Sequence, residues 1–233
     1  MITVVLISAG AEWRAVRQYY AAQTMQVTPF GECFKTDLSK NLVWFVQGGW
    51  GKVSAAASTQ YAIDRWQPDL LVNLGTCGGF QGKIERDEVL LVERTLIYDL
   101  IEQMNPDPLS AIRHYAVDLD LSWLAAPYPQ PVRRNLLVSA DRDICPADIA
   151  GLVEQYGARA ADWESGAIAW VASRQGVRCL ILRGVSDLVG EEGGEAYNGN
   201  QGQGIAFFQE GANRVMTGLL ANLPGWLDCV NIL

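Results

Sequence analysis

Short runs of apolar, largely β-branched residues recur along the chain, each separated from the next by a turn or a helical pattern. This alternation restricts the fold more than any other feature of the sequence. Thr3–Ile7 (TVVLI), Leu42–Gln47 (LVWFVQ), Leu70–Leu74 (LLVNL), Val89–Ile97, Leu136–Ser139 and Cys179–Val185 (CLILRGV) read as strands. Successive side chains of a strand point to opposite sides of its sheet. A strand that is apolar at nearly every position is therefore buried on both faces. Glu12–Ala22, Lys52–Trp66, Ser165–Gln175 and Ile205–Leu223 read as the helices that cover those faces. The expectation is an α/β fold. With 233 residues, 49% apolar and 19% charged, one core can form without disulfide or metal staples, and a single domain over 1–233 is the simplest count. The stretches Asn105–Pro131 and Gly190–Gly204 look irregular, and the glycines and polar residues of the second make it a candidate mobile flap.

Charge and residue usage exclude several classes of function. Eighteen Lys+Arg against 26 Asp+Glu leave a net charge of −8, which repels nucleic-acid backbones. The one histidine, His114, lies in an irregular stretch and reads as a surface or packing residue; a histidine-based metal site is not expected. The cysteines number five and form no CxxC pair, so neither a structural zinc nor a disulfide framework is expected. Reduced thiols fit a cytoplasmic protein. Ile2–Ile7 is too short for a signal peptide and has no basic residue ahead of it. No run approaches the roughly 20 apolar residues that span a membrane.

Ligands of open α/β sheets bind beyond the carboxyl ends of the strands. Those positions hold Ser8-Ala9-Gly10-Ala11-Glu12, Gly48-Gly49-Trp50-Gly51-Lys52, Gly75-Thr76-Cys77-Gly78-Gly79, Ala140-Asp141-Arg142-Asp143-Ile144 and Ser186-Asp187. Glycine turns and carboxylates thus recur at one rim. Gly48–Lys52 is not a Walker A loop, since Val53 stands where Ser or Thr is needed, and no GxGxxG follows a strand. Taken singly, Glu12 and Glu164 read as acidic residues in the first turn of a helix, and Asp187 as a turn or N-cap residue. Cys77 has no basic neighbour in sequence and reads as a packed residue rather than a nucleophile.

Taken together, the segments GGWGKVSAA, VNLGTCGGF, VSADRDI, ADWESGAIA and LRGVSD resemble, in order and spacing, the nucleoside phosphorylase/nucleosidase superfamily. The pattern is most similar to that of the methylthioadenosine/S-adenosylhomocysteine nucleosidases, from Thr3 to about Leu220. The resemblance implies a three-layer α/β/α domain with a mixed, partly barrel-like sheet. It also implies hydrolysis of a purine N-glycosidic bond without metal or cofactor, and a homodimer. It assigns Asp187 as the acid at N7, held by Ser186, and Glu12 as the carboxylate that polarises water. Glu164 would bind the ribose hydroxyls, with Thr76 and Gly78 bordering water and ribose. Trp163 would pack on the sugar, and Ile144 would offer backbone contacts to the base.

The sequence departs from that pattern at four places. Trp163 stands where methionine is usual, Asp143 where an aromatic often stacks on the base, and Gly190 at an acidic position; Asp99–Asp120 is unlike the usual sugar-side loop. Two rival readings stay open: a phosphorylase on the same fold, and a catalytically silent nucleoside binder. Asn73 occupies the position where phosphorylases carry an arginine, and Arg14 reads as a solvated helix-surface residue, so hydrolysis is preferred. The turn around Trp50 and the 99–120 segment are the expected dimer surfaces.

Overall fold

The apolar runs do form strands, and their alternate residues feed two separate cores. The computed structural model describes residues 1–197 and 201–231. In chain order its elements are β1 (Ile2–Ile7), α1 (Gly10–Tyr19), β2 (Gln26–Thr28), β3 (Gly31–Leu38), β4 (Asn41–Gln47), α2 (Gly51–Trp66), β5 (Leu70–Phe80) and β6 (Val89–Ile97), then α3 (Ser110–Tyr115), β7 (Val117–Asp118), β8 (Arg133–Ser139), α4 (Pro146–Tyr156), β9 (Ala160–Asp162), α5 (Ser165–Arg174), β10 (Arg178–Gly190), β11 (Gly193–Gly194) and α6 (Gln201–Asp228). Val5 and Ile7 of β1, Val72 and Leu74 of β5, and Leu180 and Leu182 of β10 pack against α1 and α6. Their neighbours Val4, Leu6, Leu71 and Ile181 point the other way, against α2 and α5. This period of two explains why these strands are apolar throughout.

The sheet is mixed and curls into a barrel at one end. β1 lies between β4 and β5, parallel to both, and β2 and β3 extend the β4 edge antiparallel. β5 pairs parallel with β10, β10 antiparallel with β6, β6 parallel with β8, β8 parallel with β9, and β9 antiparallel with β5. Five strands therefore close a ring.

Several element boundaries differ from the sequence reading. Gly75–Gly79 is not a turn after a strand. β5 runs on to Phe80, and glycine is needed there because other side chains fill the space where a Cβ would stand: Arg183 Nη1 would lie 1.9 Å from a Cβ at Gly75, and Ile144 Cδ1 2.6 Å from one at Gly78. Asp187 is likewise no strand-end residue, since β10 continues past it to Gly190. α1 is shifted toward the N-terminus relative to Glu12–Ala22, and α6 is longer at both ends. Asn105–Pro131 contains α3 and β7. Part of the candidate flap is ordered by β11 and by the Tyr197 hydroxyl, which donates to the Ile144 carbonyl at 2.6 Å; residues 198–200 lie outside the described residues. Among the described residues no helix is long and apolar enough to cross a membrane.

Candidate active site

The site begins at an irregularity in β10. Arg183 lies opposite Gly75 and Gly184 opposite Thr76, but the register with β5 slips between Val185 and Asp187, leaving Ser186 as the extra residue. A bulge of this kind re-aims the following side chain. Here it sets Asp187 on the wall of a cavity of about 620 Å³, within the range of small-molecule sites. Ser186 Oγ donates to Asp187 Oδ1 at 2.5 Å. Burial pushes the Asp187 carboxyl above the usual carboxylate range. The Ser186 hydrogen bond opposes the shift, while the charges of Glu195 and Asp143 add to it.

Across the cavity lies a buried cluster built on one guanidinium. Arg183 Nη2 pairs with Asp162 Oδ2 at 3.0 Å, Nη1 lies 3.7 Å from Glu12 Oε1, and Nη2 lies 3.9 Å from Glu164 Oε2. Its remaining donors reach the Ser165 hydroxyl at 2.9 Å and Asn73 Oδ1 at 2.7 Å. Each carboxylate also accepts at least one backbone N–H. Glu12, in the first turn of α1, accepts from the Ala9 N–H at 3.0 Å through Oε2, and from the Thr76 N–H and hydroxyl at 2.6 and 2.9 Å through Oε1. Glu164, at the N-cap of α5, accepts from the Gly51 N–H at 3.1 Å, which ties the α2 turn to the site. Asp162, ending β9, accepts from the Ser139 hydroxyl at 2.5 Å and the Ser165 N–H at 3.0 Å. One cation cannot neutralise three buried carboxylates. Glu164 responds by moving upward, driven by burial, restrained by Arg183 and pushed further by Asp162 and Glu12.

Gly78 lies beside Asp187 and Ile144, and Asp143 and Tyr197 share the cavity wall with them. Ala9, Gly10, Arg14, Trp50 and Trp163 line it too, with Ile205, Phe208 and Gln209 of α6, and the Trp50 and Trp163 rings stack with centroids 4.7 Å apart at 24°. The arrangement offers a proton at Asp187 and fixed negative charge in a desolvated cluster beside it. That pairing suits a reaction in which an anion departs from a carbon that becomes cationic.

All nine residues singled out from the sequence line this one cavity: Asp187, Glu12, Ser186, Glu164, Trp163, Thr76, Gly78, Ile144 and Asp143. The Ile144 carbonyl already carries the Tyr197 hydroxyl, which sequence reasoning did not associate with it. Arg183 and Asp162 were also missed. A signal existed for the arginine, because a charge inside the apolar run CLILRGV has to be paired if it is buried. Arg14 is exposed, as expected for a helix surface, yet also lines the cavity. Cys77 is packed: its Sγ lies 3.7 Å from the Gly184 carbonyl, and burial pushes its thiol far above the ordinary range. His114 sits exposed on α3, its ring against Tyr115.

Comparison with known proteins gives three concordant results. A family model described as the Phosphorylase superfamily matches residues 3–221. The 5′-methylthioadenosine/S-adenosylhomocysteine nucleosidase of Tolumonas auensis is 26% identical over 69% of this chain and 75% of its own, and that of Oceanobacillus iheyensis 24% identical over 84% and 91%. Among solved structures, the Streptococcus pneumoniae MTA/SAH nucleosidase in complex with 8-aminoadenine superposes with a TM-score of 0.76 at 20% identity, covering 99% of this chain and 100% of that one.

Proposed function

The chain belongs to the Phosphorylase superfamily, and from that membership and the chemistry of the cavity we propose that it hydrolyses the N-glycosidic bond of a purine nucleoside, a 5′-modified adenosine such as methylthioadenosine or S-adenosylhomocysteine. One observation carries the reading: a buried carboxyl biased toward its protonated form faces the same cavity as the Glu12–Glu164–Arg183 cluster. The curated relatives named as nucleosidases of these two substrates support it.

Asp187 protonates N7 as the base departs, because a purine is a poor leaving group while it carries negative charge. Burial raises that carboxyl above the usual carboxylate range and so favours the protonated form that the step needs. Ser186 fixes the carboxyl's orientation. The ribose becomes oxocarbenium-like, and Glu12 stabilises the growing positive charge. Glu12 also orients the attacking water beside Thr76, while Glu164 binds the ribose hydroxyls. Trp163 covers the sugar, and Asp143 and Ile144 meet the base. A phosphorylase would need a free cation beneath the ribose to hold a dianion. Asn73 stands where that arginine would be, and the guanidinium of Arg183 is already shared among carboxylates. The whole chain acts as one such domain, in the cytoplasm, on a free nucleoside rather than a nucleic acid or membrane, and with no cofactor.

A homodimer completes the proposal. Trp50, Val53, Ile101 and Met104 are exposed apolar side chains. Lys52 pairs with Asp99 and its N–H donates to Asp141 at 2.7 Å, which joins the start of the 99–104 segment to the α2 turn that carries Trp50 and Val53. Exposed apolar clusters of this kind mark association surfaces. The reading is tested by a purine nucleoside panel assayed for both base release and equilibrium binding. Release of the base supports it, and binding without release would replace it by a silent binder.

A further inference from the structure

We infer that Arg14, together with the stacked Trp50–Trp163 pair, forms a subsite for a carboxylate carried on the 5′-substituent of the nucleoside. This deepens the nucleosidase reading and rests on it. Arg14 follows Gly10 by one turn of α1, and its Nη1 passes 3.9 Å from where a Cβ on Gly10 would stand; both residues line the cavity. The other arginines near the site are committed. Arg142 pairs with Asp148 at 2.6 Å, and Arg183 is held by the buried carboxylates. Arg14 alone of the three makes no ion pair or hydrogen bond among the described residues. An uncommitted guanidinium on a cavity wall, in a chain of net charge −8, is a local site for an anion.

The position of that anion on the ligand follows from the other anchors. With N7 at Asp187 and the ribose hydroxyls at Glu164, the lining left for the 5′-substituent includes Ala9, Gly10, Arg14 and Trp50 together with Ile205, Phe208 and Gln209 of α6. The small residues at 9 and 10 leave room for a chain, and the Trp50 and Trp163 rings offer it an apolar face. The guanidinium fork then matches a terminal carboxylate bidentately. Asp143, whose charge acts on Asp187, repels an anion from that part of the cavity, so charge also biases the orientation.

Two probes differing only in that group decide the matter: methylthioadenosine and 5′-deoxy-5′-(2-carboxyethylthio)adenosine. kcat/KM and Kd for both are measured in the wild type, Arg14→Gln and Arg14→Glu. The preference for the carboxylate probe over the neutral one is expected to fall roughly fivefold in Arg14→Gln, the scale of a solvent-accessible ion pair, and further in Arg14→Glu. Added salt should erode the same preference in the wild type. An unchanged ratio in both variants overturns the subsite. So does base release that inorganic phosphate accelerates in the wild type but not in Arg14→Gln, since Arg14 would then serve the nucleophile. If both probes bind but neither is cleaved, the hydrolysis reading fails while the Kd ratio still decides the subsite; if neither binds, both readings fall.

Discussion

Replacing Arg183 by methionine keeps an unbranched side chain of similar reach and removes the one cation, among the described residues, that faces Asp162, Glu12 and Glu164 together. The guanidinium is fully buried and closest to Asp162, at 3.0 Å, so its loss leaves carboxylates uncompensated inside the protein. Breaking a buried pair in this way costs about 3–5 kcal/mol. For a domain of this size each kcal/mol lowers Tm by about 2–4 °C, so the variant should melt roughly 6–20 °C below the wild type. The pH dependence is diagnostic. Glu164 already sits above its ordinary 4.5, at about 8, and Arg183 is the influence that pulls it back. A carboxyl raised in the folded state stabilises fully below its unfolded value and loses that contribution as pH rises through the folded one. Without Arg183 the folded Glu164 carboxyl rises further, so the deficit should grow as pH passes about 8 and be larger at pH 9 than at pH 5. Urea unfolding followed by tryptophan fluorescence at the two pH values measures it. A deficit below about 1 kcal/mol, or one equal at both pH values, would refute the idea that Arg183 compensates this cluster.

Asp187→Asn should abolish base release yet keep nucleoside binding within roughly tenfold, about 1.4 kcal/mol, because the amide preserves shape but not acidity. In the wild type, base release should persist above the ordinary carboxyl range and decline as pH rises through the elevated Asp187 value; a variant with unimpaired kcat removes Asp187 as the acid. Light scattering at micromolar concentration should give twice the chain mass, and Met104→Asp should lower it toward one chain. A monomeric wild type would count against the Trp50–Met104 surface as an interface.

The layers of the fold were legible because period-two burial leaves a direct mark. A strand such as CLILRGV, apolar on both sides, has few alternatives to a central position. The barrel closure was not legible from pattern, because it depends on short β9, which pairs through only a few residues. α4 was overlooked although its signals were present: Pro146 at its start, Ile149, Leu152 and Val153 along one side, and Gly157 at φ +67° beyond its end. At the site, Glu12, Glu164 and Asp187 stood out as carboxylates near strand or helix ends and took their roles from the family resemblance, but their coupling could not be read. It arises from β5, β9 and β10 meeting around Arg183, contacts separated by scores of residues in sequence. The bulge at Ser186 was likewise invisible, since nothing in LRGVSD distinguishes a strand end from a strand that slips by one residue.

Hydrolysis is tested most directly by incubating the protein with methylthioadenosine in phosphate-free buffer and identifying both products by NMR. The predicted outcome is adenine and free methylthioribose, formed at a rate that added phosphate does not increase. Strict dependence on phosphate, with a sugar 1-phosphate as product, would contradict it.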